Sequence, residues 1–82
     1  MDNRYQIDGR YLKIFSAYPG SFWHRFTGTV IVDTIQRSAR YDTILAEKLA
    51  GFNATMRYGS QYHLITFDTE EDLTFFILRW SL

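Results

Sequence analysis

The sequence predicts an α+β domain, a two-layer sandwich in which two helices cover one face of a mostly antiparallel sheet of about four to five strands. Short segments rich in strand-forming residues alternate with two segments whose apolar residues recur at helical spacing. A hydrophobic fraction of 46%, with 18% aromatic residues, supplies a core for an 82-residue domain. No linker or low-complexity tract interrupts the chain, so we expect residues 1–82 to form a single domain.

A hairpin is expected at the start of the chain. Residues 10–16, RYLKIFS, alternate in polarity and are rich in strand formers. Asp8 and Gly9 come directly before them and form a dipeptide that favours tight hairpin turns. We therefore expect residues 4–7 to pair with residues 10–16.

A further strand is expected over residues 24–34, HRFTGTVIVDT, after a turn at Pro19 and Gly20. The centre of this segment, residues 30–32, is a continuous apolar run that is typical of a well-covered central strand. Gly28 indicates a bulge or a bend within the strand.

A first helix is expected over residues 39–50, where the apolar residues change to a helical period. Asp42 is the candidate N-cap, and Gly51 is expected to end the helix. The apolar face of this helix comprises Tyr41, Ile44, Leu45, Leu49 and Phe52.

A hairpin and a second helix complete the predicted order, in which residues 53–58 and 62–67 flank a turn at 59–61. The helix is expected from about Thr69 to Trp80, because a capping residue and the acidic run of residues 70–72 favour a helix start. Its sheet-facing stripe is Leu73, Phe76, Ile77 and Trp80, and a second stripe on nearly the opposite side is Phe75, Leu78 and Leu82. A strand is the alternative for residues 73–80, which are aromatic and poor in alanine.

The C-terminal segment carries a resemblance. It runs from Phe67 through an acidic turn ending at Asp72 to Phe76, and it finishes in Leu78, Arg79 and Trp80. It resembles the ends of small uncharacterised proteins of large tailed bacteriophages, where a strand ending in Phe leads through an acidic turn to a short helix. The resemblance implies a phage accessory protein that acts in the infected cell by binding and inhibiting host or defence components. It carries over no functional residue.

Charge and cysteine content narrow the classes of partner. The formal net charge is zero, which argues against sequence-independent binding to duplex nucleic acid. Residues 1–41 nevertheless carry an excess of positive charge and residues 42–82 an equal excess of negative charge. The chain has no cysteine, its first ten residues are polar, and no window is apolar enough for a membrane span. We expect a cytoplasmic protein, in the infected host cell if it is phage-encoded, with no membrane partner.

Catalytic and metal-binding patterns are weak. His24 and His63 are far apart in sequence, so we expect no metal and no cofactor. The acidic run at residues 70–72 is better explained as the first turn of a helix than as a pair of catalytic carboxylates. Ser60, His63 and Asp68 could be arranged as a triad on paper, but no nucleophile elbow supports one. We therefore predict a protein that is not an enzyme.

Arginine is followed by an aromatic residue at six places, which are Arg4-Tyr5, Arg10-Tyr11, Arg25-Phe26, Arg40-Tyr41, Arg57-Tyr58 and Arg79-Trp80. Such a pair can hold phosphates and stacked bases, but it also arises in any strand that buries a ring and exposes its neighbour. Burial of the ring is our expectation for Arg10-Tyr11 and Arg57-Tyr58 in strands, and for Tyr41 and Trp80 in helices.

The aromatic run at residues 22–26 is the strongest candidate site, since five bulky residues in a row cannot all be buried. We expect an exposed aromatic loop that binds a partner protein. Its predicted contact residues are Tyr18, Phe22, Trp23 and Arg25.

Three functions follow from these patterns. The leading hypothesis is a non-enzymatic phage accessory protein that binds and inhibits a host or defence protein. The second is a module that binds a small nucleotide or single-stranded RNA, with phosphates held by Arg10, Arg25, Arg40 and Arg57. The third is a small structural or assembly protein that forms a homodimer through the stripe of Phe75, Leu78 and Leu82.

Overall fold

The computed structural model describes residues 4–16 and 20–81, and the elements within them follow the order ββααββα. The elements are β1 (Tyr5–Asp8), β2 (Tyr11–Ile14), α1 (Phe22–Arg37), α2 (Tyr41–Ala50), β3 (Ala54–Tyr58), β4 (His63–Phe67) and α3 (Glu70–Ser81). The predicted α+β class is confirmed. The described residues contain one more helix and one fewer strand than the predicted order, because the third predicted strand is a helix.

The sheet has four strands in the order β1-β2-β4-β3, and every neighbouring pair is antiparallel. Both predicted hairpins are confirmed. In the first, Asp8 lies opposite Tyr11, and the turn between them needs the positive φ of +61° that Gly9 adopts. In the centre of the sheet, Leu12 lies opposite Ile65, so the two hairpins join through β2 and β4.

The predicted strand over residues 24–34 is wrong, since these residues lie inside helix α1. Ser21 caps the helix, because its Oγ accepts a hydrogen bond from the His24 amide at 3.1 Å. Phe22, Phe26 and Val30 are buried at intervals of four residues, which is helical spacing along one face. Of the apolar run 30–32, Val30 alone is buried, and Gly28 continues the helix without a bulge.

The threonine hydroxyls of α1 form hydrogen bonds within the helix. Thr27, Thr29 and Thr34 donate to backbone carbonyls three or four residues earlier, at 3.0, 2.7 and 2.8 Å. β-Branched residues lower helix propensity and suggested a strand. Burial of one aromatic face in α1 outweighs that local preference.

Helix α2 begins at Tyr41, one residue before the predicted cap. Its N-cap position is Arg40, which forms no side-chain capping bond, so the predicted role of Asp42 as N-cap is wrong. Asp42 lies in the first turn, where a carboxylate is stabilised by the helix dipole. Ile44, Leu45 and Leu49 are buried as predicted, whereas Phe52 is half-buried and Tyr41 is exposed.

Helix α3 confirms the second predicted helix and excludes the alternative of a strand at residues 73–80. The Thr69 Oγ1 atom accepts a hydrogen bond from the Asp72 amide at 3.1 Å, which caps the helix. Leu73 and Phe76 are buried, and Ile77 and Trp80 are half-buried against the core. The stripe predicted to face the sheet does so.

An aromatic cluster joins the helices to one face of the sheet, with Phe76 at its centre. The centroid of its ring lies 5.0 to 6.3 Å from those of Phe22, Trp23, Phe26, Phe52 and Phe67. The pairs with Phe22, Phe26 and Phe52 are edge to face, and pairs of this kind add about 0.5 to 1.5 kcal/mol each beyond area burial. The helices therefore pack on the side of the sheet that carries Leu12 and Ile65. The other side of the sheet faces away from them.

Candidate functional site

Within residues 4–16 and 20–81, one face of the sheet is left open. Strand alternation places Leu12, Ile14, Ile65 and Phe67 in the core, so the residues between and beside them point the other way. The residues of this open face are Gln6, Asp8, Tyr11, Lys13, Phe15, Thr55, Arg57, Tyr62, Leu64 and Thr66. All of them are exposed or half-buried. The open face, defined by these ten residues, is the candidate site.

Two cations lie in the central row of the open face. The strand register aligns Gln6, Lys13, Leu64 and Arg57 across all four strands. The backbones of Lys13 and Arg57 are two strands apart, a distance of about 10 Å. An apolar side chain, Leu64, thus lies between two positive charges.

Aromatic rings lie at both ends of the open face. Tyr11 begins β2 and Phe15 directly follows its last residue, so the two positions are about 13 Å apart, with Lys13 between them. The Phe15 ring contacts that of Tyr62, with centroids 5.4 Å apart. Tyr11, Lys13 and Phe15 therefore follow the order aromatic ring, cation, aromatic ring. This order suits a ligand in which flat rings alternate with anionic groups.

Two of the rings on the open face, those of Tyr11 and Tyr62, have a cation beside them. The Arg10 guanidinium lies 5.2 Å from the centroid of the Tyr11 ring, and its Nη2 donates to the Tyr11 hydroxyl at 3.3 Å. At the other end, Lys13 Nζ lies 5.2 Å from the centroid of the Tyr62 ring. These contacts hold the cations near the rings before any ligand arrives.

A groove of about 470 Å³ opens at the turn between β3 and β4. It is lined by Arg57, Tyr58, Gly59, Ser60, Gln61, Tyr62 and Leu64. The Gly59 amide donates to the Tyr62 carbonyl at 2.9 Å, and a Cβ atom on residue 59 would lie only 2.6 Å from that oxygen. The turn therefore requires glycine, and its shape is set by the backbone.

A second cavity, of about 320 Å³, lies between α2 and the edge strand β3. Its walls are mostly aliphatic, with Leu45, Leu49 and Met56 among them. It lacks the combination of cations and rings that distinguishes the open face.

The predicted aromatic loop is wrong. Phe22 and Trp23 are only 6% and 5% exposed, because the helical turn directs both rings into the core. Phe22 packs edge to face on Tyr5, with centroids 5.0 Å apart. Arg25 is exposed on α1, and Tyr18 lies outside the described residues. Phe22 and Trp23 are therefore not exposed to a partner, and a contact through Arg25 and Tyr18 stays a prediction.

The predicted arginine quartet is not brought together. Arg10 and Arg57 flank the open face, whereas Arg25 lies on α1 and Arg40 directly precedes α2. Arg40 instead forms an ion pair with Asp42 at 3.4 Å. Lys13 completes the site, and it was missed because no aromatic residue follows it. The alternation Tyr11, Lys13, Phe15 could have revealed it.

Strand alternation was expected to bury the rings of the Arg10-Tyr11 and Arg57-Tyr58 pairs, and this expectation is wrong for both rings. Tyr11 lies on the open face, and Tyr58 is exposed although it points to the helical side of the sheet. Tyr58 contacts the His63 ring edge to face at 4.9 Å. At the start of α2, partial burial of the otherwise exposed Tyr41 raises the pKa of its phenol, and the nearby Tyr58 raises that pKa further.

The residues proposed for a dimer interface, a catalytic triad and a metal site lie in different parts of the fold. Phe75 and Leu78 are 61% and 59% exposed on α3, while Leu82 lies outside the described residues. Ser60 and Asp68 lie beyond opposite ends of β4, so they cannot form a triad with His63. Within residues 4–16 and 20–81, no three His, Asp or Glu side chains are grouped closely enough to hold a metal ion.

None of the helices in the described part of the chain is long and apolar enough to cross a membrane. The chain matches no protein-family model, no curated protein and no solved structure. Function is therefore inferred from the open face itself.

Proposed function

We propose that this protein is a non-enzymatic module that binds single-stranded nucleic acid on the open face of its sheet. One observation carries the proposal: Tyr11 and Lys13 of β2 and Phe15 directly after it alternate ring, cation, ring, with Tyr62 against Phe15 and Arg57 two strands away in the same row as Lys13. Unpaired bases stack on exposed aromatic rings, and phosphates bind lysine and arginine. A four-stranded sheet with one uncovered face is a platform on which both contacts can form at once.

The dimensions of the open face fit a short segment of ligand. The rings of Tyr11 and Phe15 belong to positions about 13 Å apart with Lys13 between them, and this length accommodates a few extended nucleotides. Stacking contributes about 1 to 3 kcal/mol per base, so two stacked bases and two or three phosphate contacts correspond to affinity in the micromolar range. The zero net charge of the chain agrees with a small binding site of this kind and not with sequence-independent binding along a nucleic acid duplex.

Binding should weaken with salt to a degree set by the number of cations. For an eight-nucleotide strand, Lys13, Arg57 and Arg10 would neutralise two to three phosphates, and each contributes a slope of about −0.7 to log K against log salt. A fourfold increase in salt should then reduce affinity about seven- to eighteenfold. Fluorescence anisotropy with labelled oligouridine and oligothymidine measures this and compares RNA with DNA. An absence of binding at about 100 µM protein, or equal binding of a duplex, would contradict the proposal.

A second function, binding of a host or defence protein, is favoured by apolar side chains on the helical side. Phe75 and Leu78 are exposed on α3, and α1 exposes Ile31, Val32 and Ile35. Exposed apolar patches formed by side chains of this size are typical of protein–protein interfaces. The resemblance of the C-terminal segment to phage proteins supports this candidate, with an inhibitory role in the infected cell.

Charged substitutions on α3 test the second function. Phe75→Asp with Leu78→Asp should remove a captured protein from pull-downs of infected-cell lysate, because desolvating two carboxylates disfavours an apolar contact. Ser60→Asp with Gln61→Asp adds the same charge to exposed positions of the turn between β3 and β4, away from α3, and should leave capture intact. Equal capture by both variants would exclude this surface. A mass in light scattering that falls from dimer to monomer in the first variant would indicate a homodimer instead.

A further inference from the structure

Strand β3 lies at an edge of the sheet, because the strand order is β1-β2-β4-β3. The hydrogen bonds at its two ends show which way its backbone points. Directly before β3, the Asp68 amide donates to the Asn53 carbonyl at 2.9 Å. Directly after β3, the Gly59 amide donates to the Tyr62 carbonyl at 2.9 Å. Residues 53 and 59 therefore direct these backbone groups toward β4 and its flanking residues.

The backbone groups between these two residues alternate in direction, as in any antiparallel pair of strands. Thr55 and Arg57 share the direction of residues 53 and 59, so they bond to β4. Ala54, Met56 and Tyr58 direct their N–H and C=O groups away from the sheet. Within residues 4–16 and 20–81, no other group forms a hydrogen bond with these outward groups. The edge therefore offers a donor and an acceptor at each of three positions.

The side chains of the same three residues point to the side of the sheet where α2 lies. The cavity of about 320 Å³ between α2 and β3 is on that side, with Leu45, Leu49 and Met56 among its lining residues. Thr55 also lines it, although the Thr55 side chain belongs to the open face, so the cavity extends to the outer edge of β3. A strand paired with β3 would direct every second side chain toward this cavity.

An extended peptide fits this edge better than a second copy of the chain. Helix α2 packs against β3, with Leu45, Leu49 and Ala54 buried in one core. A second copy paired through the same edge would bring its own α2 over a strand only about 4.8 Å away. Packed helices need about 8 to 10 Å between their axes, so the two helices would collide. A peptide that carries no helix avoids this collision.

The lining of the cavity specifies the side chains of the peptide. The aliphatic walls favour aliphatic side chains, which lose contact with water when they enter the cavity. Asp42 adds a carboxylate to the lining, and its ion pair with Arg40, at 3.4 Å, is exposed. A basic side chain of the peptide can approach the same carboxylate from solvent. The peptide that fits therefore alternates aliphatic with polar residues and carries a basic residue beside them.

We propose that the edge of β3 binds an aliphatic, basic peptide of a partner protein as a fifth strand of the sheet. The added strand is antiparallel to β3, as is every neighbouring pair within the sheet. Main-chain hydrogen bonds to Ala54, Met56 and Tyr58 hold the peptide, and the cavity selects its alternate side chains. This site is separate from the open face and does not depend on the binding of nucleic acid.

A labelled peptide with the sequence Lys-Thr-Leu-Thr-Leu-Thr-Lys, blocked at both ends, is the probe for this site. Fluorescence anisotropy measures its affinity, and hydrogen exchange followed by NMR locates it. The amides of Ala54, Met56 and Tyr58 should exchange more slowly when the peptide is bound. The amides of Thr55 and Arg57 already bond to β4, so their exchange should change less.

Methylation of the peptide backbone tests the hydrogen bonds themselves. In the antiparallel arrangement the two leucine amides face β3, so methylating both should weaken binding about tenfold or more. The threonine amides face away from β3, and methylating two of them should preserve binding. Loss of binding on threonine methylation but not on leucine methylation would overturn the antiparallel arrangement.

A bulky side chain at Ala46 tests the cavity from the side of the protein. Ala46 is exposed on α2 and lines the cavity, so Ala46→Trp should fill it and weaken peptide binding about tenfold or more. Glu47→Trp places the same side chain at the next exposed position, which is not among the lining residues, and should preserve binding. Thermal melting shows whether both variants remain folded.

Equal weakening by the two tryptophan variants would contradict a site in this cavity. An absence of peptide binding at about 1 mM protein would contradict the proposal as a whole. A dimer in light scattering that Ala46→Trp converts to a monomer would show that a second copy, and not a peptide, covers the edge of β3.

Discussion

Replacing Phe76 by alanine should lower the free energy of unfolding by about 3 to 5 kcal/mol. The side chain is fully buried, and its ring is surrounded by those of α1, β4 and Phe52. Removal of the ring leaves a cavity at the junction of two helices and the sheet, which rigid aromatic neighbours cannot refill. A domain of this size has only about 5 to 10 kcal/mol of stability, so the variant should be near unfolding at room temperature.

Urea denaturation followed by circular dichroism measures this loss, and Phe75→Ala is its matched control. Phe75 is the preceding residue on the same helix, but it is 61% exposed, so its removal should change stability by less than about 1 kcal/mol. Helix propensity changes equally in the two variants. Similar losses for both would mean that the aromatic cluster is not the core of this fold.

Replacing both Lys13 and Arg57 by alanine should weaken binding of single-stranded nucleic acid tenfold or more. Each cation neutralises about one phosphate, so the salt slope should also fall by about 1.4 in magnitude. Both side chains belong to the central row of the open face, where Leu64 separates them. Anisotropy titrations at two salt concentrations give the affinity and the slope together.

The control removes the same two charges from the helical side. Arg37 and Arg40 are exposed and form surface ion pairs with Glu47 and Asp42, at 3.0 and 3.4 Å, which contribute little to stability. Arg37→Ala with Arg40→Ala should leave affinity within about twofold, because steering by net charge is weak at physiological salt. Equal weakening by both double variants would show that binding follows overall charge and not the open face. Thermal melting of each variant excludes loss of fold as the cause.

Local signals were sufficient to predict several elements of the fold, as the first hairpin and helix α3 show. The first hairpin follows from Asp8 and Gly9, because the turn needs a residue at positive φ and glycine adopts it without strain. Helix α3 follows from Thr69 and the acidic first turn, whose capping bond is present at 3.1 Å. In each case the decisive contact spans only a few residues of the chain.

Helix α1 shows where local reasoning fails. Residues 24–34 are rich in β-branched residues, and their intrinsic preference is for a strand. A helix forms because Ser21 caps it and because Phe22, Phe26 and Val30 bury against residues that come later in the chain. The exposed aromatic loop was predicted because residues 24–34 were taken as a strand. In the helix that forms instead, Phe22 and Trp23 point into the core.

The amino-acid sequence by itself determined the α+β class, both hairpins, helix α3 and the presence of several arginines beside rings, because these depend on spacing within short segments. Only the tertiary structure decided which arginines and rings share a surface. Register across the sheet aligned Lys13 with Arg57, and strand alternation placed Tyr11 and Phe15 on the same side. Packing of three helices against one face left the other face open, and no short segment of sequence carries that information.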